Sequence, residues 1–115
     1  MKLKEIVEKL NLLVKTAPSS LEREVTGGYA SDLLSDVMGN ARKDNIWVTL
    51  QTHQNIVAVA TLKEMAGIIL VKDRLPEEEV LQKAEEERIP IMITELSTFE
   101  IVGRLYELGI RSGDA

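Results

Sequence analysis

Side chains that can hold a phosphate group follow three apolar stretches of the chain. They carry hydroxyl, imidazole, ammonium and guanidinium groups, namely Thr52, His53, Lys72, Arg74, Ser97 and Thr98. Charged donors bind phosphate through strong, charge-assisted hydrogen bonds. If the apolar stretches are parallel strands, their carboxyl ends meet at one edge of a sheet, which is where ligands bind in open α/β sheets. We therefore expect these six residues to contribute to a ligand-binding site on one rim.

The charged members of this set also have a plain structural interpretation. His53 is the single histidine, and no residue at a recognisable spacing supports a role as catalytic base, so a surface or helix-entry position is an alternative to ligand contact. Lys72 and Arg74 can instead flank a solvated turn and pair with Asp73. The residue types leave both interpretations open.

The pattern Ser97-Thr98-Phe99-Glu100 is a capping box that opens a helix. The Ser97 hydroxyl is expected to cap that helix. Thr98 is then free to donate a hydrogen bond to a ligand at the helix amino terminus, where backbone amides attract anions.

A glycine pair provides a second candidate position. Gly27 and Gly28 allow positive φ and a close approach of backbone N–H groups to an anion, or simply a tight strand-to-helix turn. No Gly-x-x-x-x-Gly-Lys phosphate loop and no Gly-x-Gly-x-x-Gly fingerprint is present. Arg23 can contact a ligand or pair with a nearby carboxylate. We include Arg23, Thr26 and both glycines among the candidate ligand contacts.

The composition restricts the class of protein. The chain has 115 residues, and 19 acidic against 14 basic side chains give a formal net charge of -5 with 3% aromatic residues. A negative chain with few aromatic rings argues against nucleic-acid partners. The absence of Cys from the sequence, the lack of a signal-like start and the short longest apolar run, residues 66–71, favour a soluble cytoplasmic protein with no membrane partner.

A metal site has little support in the sequence, and we expect no cofactor. Without Cys and with one His, only an oxygen-ligand site is conceivable. The glutamate runs at 77–79 and 85–87 more simply solvate a helix face.

Apolar spacing predicts one α/β domain over residues 1–115, with a mostly parallel sheet flanked by helices. Helical spacing covers residues 1–14, 30–38, 55–65, 76–84 and 97–108, and strand-like stretches cover 21–25, 46–50, 67–71 and 89–93. Strands that alternate with helices indicate a parallel sheet.

Two phrases of the sequence resemble the DRTGG-domain family. They are Glu22-Arg23-Glu24-Val25-Thr26-Gly27-Gly28-Tyr29, followed by Ser31-Asp32-Leu33-Leu34-Ser35-Asp36-Val37-Met38, and Leu96-Ser97-Thr98-Phe99-Glu100. The resemblance extends from about Leu3 to Ile110. Glu22 stands where the family name has aspartate, and Glu24-Val25 interrupts the phrase, so the role of that acid does not transfer directly.

The resemblance implies a regulatory or ligand-sensing module that does not catalyse a reaction. The family is similar to the N-terminal domain of HPr kinase/phosphorylase, and it occurs beside phosphotransacetylase domains and between CBS domains of nucleotide-regulated pyrophosphatases. The kinase chemistry lies in a separate domain with a phosphate loop. A homodimer that binds an adenine nucleotide or another phosphorylated metabolite and signals to a partner enzyme is therefore expected.

A protein-interaction module without a small-molecule ligand is the alternative. Its docking surface would be the apolar face of the first helix, formed by Leu3, Ile6, Leu10 and Leu13.

Overall fold

A five-stranded sheet forms the middle layer of the computed structural model, which describes residues 1–112. The elements in chain order are α1 (Leu3–Leu10), β1 (Leu13–Val14), a 3-10 turn (Pro18–Ser20), β2 (Gly27–Ala30), α2 (Leu34–Asn40), β3 (Asn45–Thr49), α3 (Asn55–Leu62), β4 (Gly67–Leu70), α4 (Glu78–Glu86), β5 (Ile91–Ile93) and α5 (Thr98–Glu107). Residues 113–115 of the predicted domain lie outside the described residues.

The strands β2 to β5 run parallel, and the strand order is β1-β5-β4-β3-β2. The short strand β1 pairs antiparallel with β5. This architecture confirms the predicted α/β class with a mostly parallel sheet. The loops that follow β2 to β5 share one side of the sheet, here called the carboxyl rim. The opposite side, where these four strands begin, is the amino edge.

Alternate residues of the central strands bury into two separate cores, as the period of a strand requires. Trp47, Ile68 and Ile91 belong to the core shared with α2, α3 and α4. Ile46 and Ile69 belong to the core that includes residues of α1 and α5. Because both faces of the sheet are covered, the central strands are continuous apolar runs.

Thr16 supplies the hydrogen bonds that the chain around Pro90 lacks. Its buried hydroxyl donates to the Ile89 carbonyl at 2.7 Å and accepts from the Ile91 amide at 2.7 Å. Proline has no N–H for the ladder. The predicted strand over 89–93 therefore begins only at Ile91. Across Pro90, the Thr16 side chain connects the Ile89 carbonyl to the Ile91 amide.

The prediction of a strand over residues 21–25 was wrong. This segment runs beside the amino terminus, where the Leu3 amide donates to the Arg23 carbonyl at 3.0 Å and the Val25 amide donates to the Met1 carbonyl at 2.9 Å. Val25 is buried in the core that includes α1. The apolar–polar alternation thus reflects packing beside α1 and not membership of the sheet.

The predicted helix over residues 30–38 was wrong at its start, because the glycine pair opens a strand. Ala30 is the last residue of β2, and α2 begins at Leu34. Gly27, Gly28 and Ala30 have weak intrinsic strand preference, so only Tyr29 signalled a strand there. The glycine pair is therefore not a strand-to-helix turn.

The first helix is shorter than the predicted span of 1–14. Asn11 adopts a left-handed conformation with φ 54°, and the Leu12 amide donates to the Val7 carbonyl at 3.0 Å. A left-handed Asn after a helix is a common terminator. The chain then enters β1, which the sequence prediction missed. Helix α3 ends at Leu62 and not at 65, and α4 begins at Glu78, two residues after Pro76.

Helix α1 packs its apolar face into the protein's own core. Leu3 and Ile6 are fully buried and Leu10 is half-buried, whereas Leu13 is exposed in β1. The predicted docking surface on the first helix is wrong for this reason.

Candidate functional site

The structure separates the ten predicted contacts into two groups on opposite sides of the sheet. Thr52, His53, Lys72, Arg74, Ser97 and Thr98 lie on the carboxyl rim. Arg23, Thr26, Gly27 and Gly28 lie at the amino edge, because β2 begins at Gly27. One small ligand therefore cannot be expected to contact both groups.

Polar donors at the amino edge are satisfied by the chain itself. The Arg23 guanidinium donates to Asp44 Oδ1 at 2.8 Å and to the Glu64 carbonyl at 3.2 Å. The Thr26 hydroxyl donates to the Lys43 carbonyl at 3.1 Å. About a third of each partner in the Arg23–Asp44 pair is exposed, with side-chain values of 30% and 28%. Arg23 thus ties its own segment to the loops before β3 and β4.

Gly28 allows another part of the backbone to lie against β2. The Gly28 amide donates to the Arg111 carbonyl at 2.7 Å. A Cβ atom at this position would lie 3.3 Å from Ile110 Cγ2 and 3.4 Å from Ile46 Cγ2. Among the described glycines, Gly109 is the one with positive φ. The close approach predicted for the glycine pair exists, but the chain segment after α5 makes it.

The loop after β4 is held in an uncommon conformation on the carboxyl rim. Lys72 and Asp73 both have φ 55°, a left-handed value that costs energy in residues with a Cβ. The Lys72 amide donates to the Leu96 carbonyl at 3.0 Å, and the Asp73 amide donates to the Thr94 carbonyl at 2.9 Å. These bonds join the loop after β4 to the loop after β5. The side chains of Lys72, Asp73 and Arg74 remain exposed.

Ser97 caps α5 as the sequence predicts. Its hydroxyl accepts a hydrogen bond from the Glu100 amide at 3.3 Å. The Glu100 carboxylate lies 3.7 Å from Arg104 Nε, so it pairs along the helix. Thr98 is the first residue of α5 and is half-buried on the same rim.

His53 is used locally at the entry to α3. Its Nδ1 accepts a hydrogen bond from the Asn55 amide at 3.1 Å, and its carbonyl accepts one from the Ile56 amide at 3.0 Å. An accepting Nδ1 places the proton of the neutral ring on Nε2. The side chain is exposed, and Thr52 beside it is half-buried. These bonds match the helix-entry interpretation of His53.

Asp32 organises the rim beside β3, although it was not among the predicted ligand contacts. Its Oδ1 accepts from the Thr49 hydroxyl and from the Leu50 amide, each at 2.8 Å. The Gln51 side chain donates to the Asp32 carbonyl at 3.1 Å. A polar residue just after a strand would have indicated this position. Residues 30–38 were predicted as one helix, however, so the end of β2 before Asp32 was not recognised.

A hydrogen-bonded pair fixes α2 to the edge strand. The Tyr29 hydroxyl lies 2.8 and 2.9 Å from the two carboxylate oxygens of Asp36. The Ser31 hydroxyl, and then the Tyr29 hydroxyl, lower the pKa of Asp36 below its ordinary value. The bond to Asp36 raises the pKa of Tyr29. Both shifts favour a neutral Tyr29 hydroxyl that donates to an ionised Asp36 carboxylate at neutral pH.

The two sides of the sheet also differ in their cavities. A cavity of about 430 Å³ at the rim is lined by Asp73, Thr94 and Leu96, among others. A cavity of about 500 Å³ at the amino edge includes Arg23 and Arg88 in its wall.

Within residues 1–112, no group of three or more acidic or histidine side chains is placed to hold a metal. Within the same part of the chain, no helix is both long and apolar enough to cross a membrane.

Comparisons with known proteins agree with this fold. Residues 5–108 match the model of the DRTGG domain. A similar solved structure comprises the CBS and DRTGG domains of the regulatory region of Clostridium perfringens pyrophosphatase, complexed with its activator, diadenosine tetraphosphate. The two structures share a TM-score of 0.74 at 16% sequence identity, over 97% of this chain and 48% of that one. No curated protein sequence matches the chain.

The present chain spans about half the length of the pyrophosphatase structure. At that level of identity, the likeness shows a common fold. The family match is stronger evidence, because it covers residues 5–108 of 115. The chain belongs to the DRTGG-domain family.

Proposed function

We propose that this protein is a regulatory, non-catalytic domain that senses an adenine nucleotide or another phosphorylated metabolite at its carboxyl rim. The observation that carries the proposal is the loop after β4. It exposes Lys72 and Arg74 on a rigid backbone that is hydrogen-bonded to the loop leading into α5. Two exposed cations on a loop that is hydrogen-bonded to the entry of a helix suit an anionic group.

The charges on the rim support an anion more than a cation. Among the described residues, neither Lys72 nor Arg74 forms an ion pair, although the whole chain has a formal net charge of -5. Asp73 and Glu95 are also exposed on this rim and would repel an anion from their own positions. Thr98 supplies a hydroxyl at the first turn of α5, and Ser97 orients that turn.

A regulatory role is supported by family membership and by the related pyrophosphatase region with its dinucleotide activator. We propose that this chain acts as a homodimer in which the bound ligand favours one arrangement of the two copies. A ligand shifts such an equilibrium only through a difference in its affinity for the two arrangements. A partner enzyme would then bind the altered arrangement and change its activity.

Isothermal titration with a panel of adenine nucleotides tests the ligand. The double variant Lys72→Gln/Arg74→Gln should weaken binding by more than about tenfold, because two charge-assisted contacts are lost. The matched control is Lys15→Gln/Arg88→Gln, which also removes one exposed Lys and one exposed Arg. Lys15 follows β1 and Arg88 precedes β5. The control should bind like the wild type. Absence of heat with every nucleotide, for a folded sample, would exclude the nucleotide version.

Light scattering after size-exclusion chromatography tests the dimer. A change in the mass or elution of the dimer on addition of the binding nucleotide is expected. A monomer both with and without nucleotide would contradict the proposed mechanism.

The alternative function, a protein-interaction module without a small-molecule ligand, is favoured by one feature of the same rim. Phe99 is 88% exposed at the start of α5, and Leu75 is 58% exposed after β4. Large exposed apolar side chains often mark protein contacts when they cluster. Phe99→Ser would then abolish dimerisation or partner binding without changing nucleotide binding, whereas the proposed ligand site predicts that Lys72→Gln/Arg74→Gln has the larger effect.

A further inference from the structure

A narrow apolar slot lies between the edge strand β2 and the carboxyl-terminal half of α5, away from the loop that carries Lys72. Its volume is about 150 Å³. Apolar side chains and small strand residues line it, namely Gly28, Ala30, Val48, Val102, Leu105 and Ile110. Pockets for drug-sized ligands occupy about 300–1,000 Å³, whereas an apolar cavity of about 150 Å³ is large enough for one aromatic ring. The slot therefore suits a single flat ring system.

The strand beside the slot offers hydrogen-bonding groups to a ring. Along a strand, the backbone groups of successive residues point alternately to its two sides. The Ser31 amide donates to the Val48 carbonyl of β3, and the Gly28 amide points the other way, to the Arg111 carbonyl. By this alternation, the N–H and C=O groups of Ala30 face the open side of β2. No described residue donates to or accepts from them on that side.

An aromatic side chain and a cation lie at the mouth of the slot. Tyr106 is 56% exposed. The Arg111 guanidinium stacks 3.6 Å from the centroid of its ring and also donates to the Tyr106 carbonyl. Stacked arginine and tyrosine present flat surfaces on which a further planar ring can lie.

A second, polar cleft adjoins the slot. Its volume is about 430 Å³, and its wall includes Asn40, Arg42 and Lys63. Tyr29 and Ser112 line both spaces. An anionic group attached to a ring in the slot can therefore reach the cleft that Lys63 lines.

We propose that the slot binds the base of a mononucleotide. The ring occupies the apolar space, its donor and acceptor edge pairs with the backbone of Ala30, and its phosphate extends toward Lys63. This site goes beyond the function proposed above, because it requires neither Lys72 nor Arg74. An aromatic side chain of a partner protein is less suited, because a phenyl ring leaves the Ala30 groups unpaired and makes no use of the cationic cleft.

The proposal is tested by titrating the full chain with adenosine, a nucleoside without phosphate, and following backbone NMR signals. We expect the largest shifts at Ala30 and Val102. Ala30 pairs with Val48 and shares its face of the sheet, so Ala30→Leu fills the slot from an exposed position. This variant should lose adenosine affinity by more than about tenfold. Ala58→Leu, the same change at an exposed position of α3, should leave the affinity unchanged.

Lys63→Gln separates the two parts of the site. It should weaken adenosine monophosphate binding by about tenfold, through loss of a charge-assisted contact, and leave adenosine binding unchanged. Val102→Phe, which fills the slot from α5, provides an independent block if Ala30→Leu does not fold.

Several results would overturn the proposal. They are the absence of shifts with adenosine at millimolar concentration, shifts confined to the loops at 72–74 and 97–98, and wild-type affinity in a folded slot-filling variant. Displacement of adenosine by N-acetyltryptophanamide at lower concentration would also overturn it and assign the slot to a partner side chain. Adenosine monophosphate binding that survives Lys72→Gln/Arg74→Gln and is weakened by Lys63→Gln supports the slot, whereas its complete loss in Lys72→Gln/Arg74→Gln would overturn the mononucleotide proposal. The two sites can therefore fail independently.

Discussion

The amino edge and the carboxyl rim of the same sheet use similar residue types in opposite ways. At the amino edge, the side chains of Arg23 and Thr26 donate hydrogen bonds to Asp44 and to backbone carbonyls. At the rim, Lys72 and Arg74 extend from a loop whose backbone is already satisfied. Polar side chains therefore form hydrogen bonds within the protein at the amino edge, whereas those of Lys72 and Arg74 are exposed at the rim and can contact a ligand.

This difference teaches that a family motif and a binding site need not coincide. The motif around Gly28 holds the amino terminus, two interstrand loops and the segment after α5 in place. Its residues contribute to stability, whereas residues at the rim should contribute little to stability and more to recognition. The two groups can therefore be distinguished by substitutions that are alike in chemistry.

The largest expected effect is at Gly28. In Gly28→Val, the Cβ atom alone would lie 3.3 Å from Ile110 Cγ2, and the two further methyl groups would require Ile110 or Ile46 to move. We expect the free energy of unfolding to fall by about 1–3 kcal/mol, the usual cost of overpacking. Urea denaturation measures the loss.

Ala30→Val is the matched control for this change. It places the same side chain two residues later on the same face of β2, at an exposed position. Its stability should stay within about 0.5 kcal/mol of the wild type. Equal losses in the two variants would mean that the strand, and not the contact with Ile110, determines the effect.

A smaller effect is expected at Arg23. In Arg23→Ala, Asp44 loses its cation and the Glu64 carbonyl loses a donor. Because the pair is partly exposed, we expect a loss of about 1–2 kcal/mol in the free energy of unfolding. Arg74→Ala removes the same group from the rim and should change stability by less than about 0.5 kcal/mol. The comparison between the two sides would break down if Arg74→Ala were the more destabilising substitution.

Much of the fold was predictable because its central strands are buried on both faces. The runs in β3 and β4 are continuous and apolar, and the Ser97 cap marks the start of α5. The edge strand β2 was not predictable from propensity, since its glycines are required by Ile110 and Arg111, which are distant in sequence. Only the tertiary contact explains why glycine occupies a strand there.

The candidate site was predictable to a similar, partial extent. Placing the polar loops after parallel strands correctly grouped Thr52, Lys72 and Thr98 on one rim. The glycine pair, predicted as a further candidate contact, lies instead at the amino edge, because β2 begins at Gly27. The slot beside α5 could not be inferred from the sequence, because it depends on how α5 packs against β2 and β3.

The smallest expected effect concerns the backbone of the rim. Lys72 holds a left-handed φ of 55°. Glycine adopts this conformation without the clash of a Cβ atom, although it also gains freedom in the unfolded chain. We expect Lys72→Gly to exceed Lys72→Ala in free energy of unfolding by about 0.5–1 kcal/mol, as measured by urea denaturation.

Lys72→Ala serves as the control in this experiment, because both variants lose the ammonium group and differ only in the Cβ atom. A higher stability of Lys72→Ala would show that the left-handed conformation is not maintained in solution. With the expected order, the loop after β4 carries a conformational cost, as the loops at the amino edge also do, where Asp44, Glu64 and Arg88 have φ of 63°, 52° and 59°. Backbone strain of this kind collects at sites of ligand recognition. The rim would then share this backbone strain with the amino edge and differ from it in its side chains, because Arg23 contacts Asp44 and Glu64 whereas Lys72 and Arg74 form no ion pair among the described residues.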